Sequence, residues 1–131
     1  PQIRKDEPPN SADISAVIGL TGETNGWVAI CLQKSVALNV AANMLGVQKA
    51  YIDADVRDAV GEIVNMIAGG AKAELAKKGY TFKIAIPTVV VGDNHQLGQS
   101  KNCLYLLIPF ETEHGSFFVN VCLETEVKPA F

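Results

Sequence analysis

D-A-V-G-E-I-V-N-M-I-A-G, running from Asp58 to Gly69, has the period of a helix and carries two stripes of opposite character. At about 100° per residue, Val60, Ile63, Val64, Ile67, Ala71 and Leu75 gather on one side in the i, i+3, i+4, i+7 pattern of a core-facing stripe. Asp58, Glu62, Asn65 and Gly69 fall on a second stripe that faces away from that core. Side chains three residues apart on a helix are neighbours, with about 5–6 Å between their Cβ atoms. Glu62 and Asn65 can therefore address the same incoming group.

Upstream of this stretch, Asp53 or Asp55 offers an N-cap for a long helix running to about Lys78 and closed by Gly79. Before it, residues 34–45 are rich in Ala, Leu, Val and Met, and Gly46 stands where a left-handed cap ends a helix. Residues 14–20 and 27–32 are β-prone runs separated by T-G-E-T-N-G, in which Asn25-Gly26 is expected to supply the positive φ of a hairpin turn. After the long helix the period becomes that of strands. K-I-A-I-P-T-V-V-V-G is split by Pro87, which cannot donate to a sheet ladder and so marks an edge, bulge or bend. Residues 92–102 read as a polar loop, and residues 103–110 and 117–126 as two strands joined through a turn at His114-Gly115.

Strand, strand, helix, helix, strand, strand, strand predicts an α+β fold of two layers, with two helices packed on one face of a mainly antiparallel sheet. A faint internal echo, A-N-M-L-G at residues 42–46 against V-N-M-I-A-G at 64–69, suggests a pseudo-repeat. In the first copy Val40 stands three residues before the Asn, so only the second carries the polar pair. Residues 1–13, with three prolines, are expected to be an extended lead-in, and residues 14–131 one domain.

With 131 residues, 48% of them apolar, the chain is long enough for one buried core. A net charge of −3 without clustered Lys and Arg excludes the electrostatic footprint of a nucleic-acid or anionic-membrane binder. No apolar run approaches the roughly 20 residues of a membrane span, and no signal leader is recognisable, so the cytoplasm is the expected compartment. Cys31, Cys103 and Cys122 lie in strand-like runs without C-x-x-C spacing and are expected to be buried thiols of a reducing compartment. His95 and His114, both expected in turns, have no second ligand at metal spacing, and no nucleophile elbow or phosphate-cradling loop is present.

Acids and amides on an exposed helix face usually meet only water. Here Gly69 and Gly70 interrupt a run of good helix formers at about 1 kcal/mol each against alanine, and Gly69, on the polar stripe, is expected to admit another backbone or molecule close to the helix. Asn65 is likewise a poor choice for helix propensity alone.

The pattern D-x-x-x-E-x-x-N-x-x-x-G, formed by Asp58, Glu62, Asn65 and Gly69, resembles the active-site helix of the CheC/CheX/FliY family of chemotaxis phosphatases. I-P-T-V-V-V-G at residues 86–92, followed by His95, is similar to the strand after that helix in CheX-type members. A single Glu-x-x-Asn helix sides with CheX, since typical CheC proteins have two. The resemblance implies a phosphatase that hydrolyses the aspartyl phosphate of a CheY-like response regulator. It assigns a water-positioning role to Asn65 and docking to Glu62, through an ion pair with a lysine of the regulator's phosphorylation pocket. Asp58 and Gly69 become partner-contact residues. No cofactor or metal of its own is implied, since Mg²⁺ would sit on the regulator. A homodimer formed through the sheets is also implied, as is a helix ahead of the first strand that residues 1–13 are not expected to form. The rival expectation is a non-catalytic binding module, because the same fold serves in flagellar switch proteins.

Overall fold

The structure, a computed structural model, describes residues 2–5, 12–22, 25–95 and 103–124. Its elements in chain order are β1 (Gln2–Lys5), β2 (Ala12–Gly22), β3 (Gly26–Leu32), α1 (Lys34–Leu45), α2 (Ala54–Ala76), β4 (Phe82–Ile84), β5 (Thr88–His95), β6 (Cys103–Thr112) and β7 (Gly115–Glu124). The strands form one sheet in the order β1-β6-β7-β3-β2, with β4 and β5 following one another along the outer edge of β2. Every pairing is antiparallel. This is the expected α+β arrangement.

Alternation puts Ile14, Ala16 and Ile18 of β2, Val28, Ile30 and Leu32 of β3, and Val119 of β7 on one face. Val36, Ala37 and Ala41 of α1 and Val56, Ala59, Val60, Val64 and Ala68 of α2 pack onto them as the main core. The buried stripe of α2 is turned slightly from the sequence expectation: Ala59, Gly61 and Ala68 are buried, while Ala71 is exposed.

Asp53 is the N-cap of α2, its Oδ1 accepting from the Val56 N–H at 2.9 Å. Its other oxygen accepts from Lys49 Nζ at 2.9 Å, and that ammonium, followed by the cap bond, holds the Asp53 carboxyl below the usual carboxylate range. At the start of α1 the Lys34 N–H donates to Asp13 Oδ2 across 21 positions of sequence at 2.8 Å, filling one of the open donors of a helix end. Gly46 ends α1 at φ +71°, as expected of a left-handed cap.

Several expectations change. Residues 2–5, placed in the lead-in, form a strand against β6; residues 1 and 6–11 lie outside the described residues. The loop expected from residue 92 begins later, because β5 runs through Gly92 to His95, and residues 96–102 are outside the described set. Gly26 is not a positive-φ turn residue. It sits in the ladder against β7, where a Cβ would fall 2.0 Å from the Cys122 carbonyl oxygen. The close approach of two strands requires the glycine there.

The sheet's second face holds a smaller cluster of Ala12, Ala29, Cys31, Leu107 and Phe118. Cys31 is a buried free thiol, as expected, pushed up to about 11 by burial against a weaker opposing hydrogen bond from Ser15. Cys122 departs from the expectation and is disulfide-bonded. Its spacing in the sequence gives no signal of that bond. Among the described residues no helix is long and apolar enough to cross a membrane.

Candidate active site

α2 runs beside the bend that joins β4 to β5. Gly61 faces the bend: a methyl group in place of its hydrogen would meet Val89 Cγ2 at 3.5 Å and Pro87 Cβ at 4.0 Å. The bend exists because both flanking strands are tied to β2, β4 through Ile84↔Leu20 and β5 through Thr88↔Val17. Pro87, which has no N–H to offer, falls between them.

Helix and bend enclose an open groove of about 360 Å³. One wall is Arg57, Asp58, Gly61, Glu62 and Asn65 of α2. The other is Ala85, Ile86, Pro87 and Val89. Asp58, Glu62 and Asn65 are thus brought together as the sequence suggested, all three exposed. Their side chains take no hydrogen-bond or ion-pair partner among the described residues. Gly69 lies one turn beyond the groove, and a Cβ added there would meet nothing within 4 Å. Its small size therefore answers to no packing demand within the described chain.

The groove presents hydrogen-bonding and charged groups on its α2 wall. Asn65 offers an amide donor and a carbonyl acceptor, Glu62 and Asp58 offer acceptors, and Arg57 a cation. Two exposed carboxylates do not furnish the oxygen set that Mg²⁺ or Ca²⁺ requires, and no group of three His, Cys, Asp or Glu side chains suited to a metal occurs among the described residues. A larger cavity of about 450 Å³ lies between α2 and the sheet, bordered by Ile67, Leu75, Tyr80, Phe82, Ile108 and Val121. Its lining is almost wholly apolar and offers no group to activate water.

The family model for chemotaxis phosphatase CheX matches residues 14–111, which include both walls of the groove. The chain belongs to the CheX family. Its fold is that of solved CheX proteins. Chemotaxis protein CheX from Vibrio vulnificus superposes with a TM-score of 0.84 at 35% identity, covering 94% of this chain and 83% of that one. CheX from Desulfovibrio desulfuricans gives 0.86 at 41% identity, covering 94% and 81%. CheX from Borrelia burgdorferi, crystallised as a CheX-CheY-BeF3-Mg²⁺ complex, gives 0.73 at 24% identity, covering 95% and 84%, a likeness of fold. No curated protein sequence matches the chain.

In this CheX-family chain, the two segments that carried the resemblance supply opposite walls of the groove, one through Asp58, Glu62 and Asn65 of α2 and the other through Ile86, Pro87 and Val89. Sequence reasoning passed over Gly61 and Arg57 and gave Ile86 no role of its own. Gly61 had a signal, being a third glycine in a helix one residue before the key acid. Arg57 and Ile86 had none, because only the tertiary contact places them at the groove.

Proposed function

We propose that this chain removes the phosphoryl group from the aspartyl phosphate of a CheY-like response regulator, with α2 entering the regulator's phosphorylation pocket. The observation that carries this is the pair Glu62 and Asn65, exposed one turn apart on one groove wall and unclaimed by any described side chain. The CheX of Borrelia burgdorferi, captured with CheY, supports the choice of partner class.

An acyl phosphate already has a good leaving group, so what the reaction needs is a positioned water and charge stabilisation. Asn65 would hold a water in line with phosphorus through its amide. The water oxygen bonds to phosphorus, the bond from phosphorus to the aspartyl oxygen breaks, and the water proton leaves with inorganic phosphate or to solvent. Glu62 would accept from the regulator's pocket lysine and fix the register of the helix. Mg²⁺, held on the regulator, would neutralise phosphoryl charge. Asp58, one turn toward the helix start, would contact the partner beside Glu62.

The decisive experiment mixes the purified protein with a panel of phosphorylated receiver domains and times phosphate loss. Accelerated loss from a CheY-like member is expected; binding without acceleration would instead favour a non-catalytic module.

Gly69 provides a separate test. Gly69→Ala should stabilise the fold by about 1 kcal/mol, because helix propensity rises and nothing is displaced. Gly69→Leu should retain the fold but weaken the regulator complex at least tenfold in a titration. Undiminished affinity would remove Gly69 from the interface.

The homodimer is proposed to form at β5. Among the described strands it pairs with β2 alone, and Val90 and Val91 are 38% and 44% exposed. Unpaired edge groups template pairing with a second chain. Val90→Lys with Val91→Lys should convert a dimer to a monomer by sedimentation, and a monomeric parent protein would overturn the proposal.

A further inference from the structure

Ile86 is 88% exposed, more than any other large hydrophobic side chain among the described residues. A lone exposed isoleucine is ordinary on a protein surface. This one is distinguished by its place and its rigidity. Ile84 is paired with Leu20, the Ala85 N–H donates to the Gly19 carbonyl at 3.0 Å, and Thr88 is paired with Val17, so the bend is held at both ends. Between these anchors Pro87 has its φ fixed by its ring. Ile86 is therefore presented to solvent on a pinned support, on the groove wall facing Glu62 and Asn65.

The contact at Gly61 adds a geometric constraint. It brings the bend against α2 one turn before Asn65, and one turn is only about 5.4 Å of helix axis. A domain-sized partner that delivers a group to Asn65 must cover the bend as well.

Resting on the proposed function, we infer that Ile86 is the apolar anchor of the docked receiver domain, packing on an apolar side chain at the rim of its phosphorylation pocket. Buried there, it excludes water from the Glu62 ion pair and strengthens it, as the apolar surround of a charged contact does. The groove thus divides its labour: the α2 wall carries polar recognition and water, and the bend carries apolar affinity. Ile86 is a specificity-determining residue, since regulators with a polar side chain at that rim position are disfavoured.

The test uses Ile86→Ala and Ile86→Leu with a CheY-like receiver domain that the parent protein dephosphorylates. Affinity is measured for the beryllofluoride-activated domain, and kcat and KM for the phosphorylated one. Losing a buried isoleucine should raise Kd and KM by about thirtyfold in Ile86→Ala, with kcat retained. Ile86→Leu should restore both to within about twofold, and neither variant should lower the melting temperature. Parent-like Kd and KM in Ile86→Ala, or a fall in kcat at unchanged KM, would overturn the anchor while leaving the phosphatase proposal standing. Failure of the parent protein to release phosphate from any receiver domain would sink the proposed function first, and the anchor with it.

Discussion

Asn65→Ala should lower the rate of phosphate release from a phosphorylated regulator by roughly a hundred- to a thousandfold, the size of effect seen when one positioned polar group is removed from a reacting centre. The regulator supplies the phosphoryl group, metal and lysine in the proposed complex, so Asn65 is the group whose loss leaves the attacking water unheld. Alanine at this exposed position removes no described hydrogen bond and is a better helix former than asparagine, so the melting temperature should hold or rise slightly. Affinity for the regulator should change by no more than about threefold, because a water-holding amide adds little to ground-state binding. Single-turnover phosphate release and a titration with the beryllofluoride-activated domain separate the two quantities. An unchanged rate would remove Asn65 from the chemistry and leave a binding module.

Glu62→Lys should have the opposite signature. Reversing the charge replaces an ion pair with two facing ammonium groups, and truncating one partner of a buried charge pair already costs about 2–5 kcal/mol. Complex formation should weaken by at least a hundredfold, with Glu62→Ala intermediate. The salt dependence should diverge too: the parent protein's affinity falls as ionic strength rises, whereas that of Glu62→Lys falls less or rises, because screening then relieves repulsion. Folding should be unaffected in both variants, since Glu62 is exposed and has no described partner. Parent-like affinity in Glu62→Lys would contradict the docking role.

These variants differ from Ile86→Ala in a useful way. Asn65 is expected to move kcat, Glu62→Lys affinity with the salt trend flattened or reversed, and Ile86 affinity with the parent's direction of salt dependence kept. Gly69→Ala raises stability, while a large side chain at the same position obstructs docking. No single defect of folding produces all four patterns.

Much of the fold was legible because it is written in short-range periodicity. The bounds of α1, the cap at Gly46 and the choice of Asp53 or Asp55 to open α2 follow from propensity and capping within a few residues. The interruption at Pro87 could be read as an edge, bulge or bend, and it is the bend between β4 and β5. The polar stripe was legible because helical geometry alone places Asp58, Glu62 and Asn65 on one side.

Other features were closed to such reading. Residues 2–5 stand among the prolines of an expected lead-in, and only pairing with β6 makes them a strand. Gly26 resembled a turn glycine; the cross-strand approach of Cys122 shows that it answers to sterics, not to φ. The disulfide at Cys122 has no spacing motif to announce it.

The two helices and the pair Glu62 and Asn65 were thus set at the level of sequence, since both depend on dihedral preference and the 3.6-residue turn, which act over a handful of neighbours. It took the folded chain to make β4 and β5 share the edge of β2, to let their bend lie against α2 at Gly61, and to bring Ile86 and Arg57 beside the polar pair. Those are contacts between segments distant along the chain, selected by which surfaces can be buried together, and no local pattern encodes them.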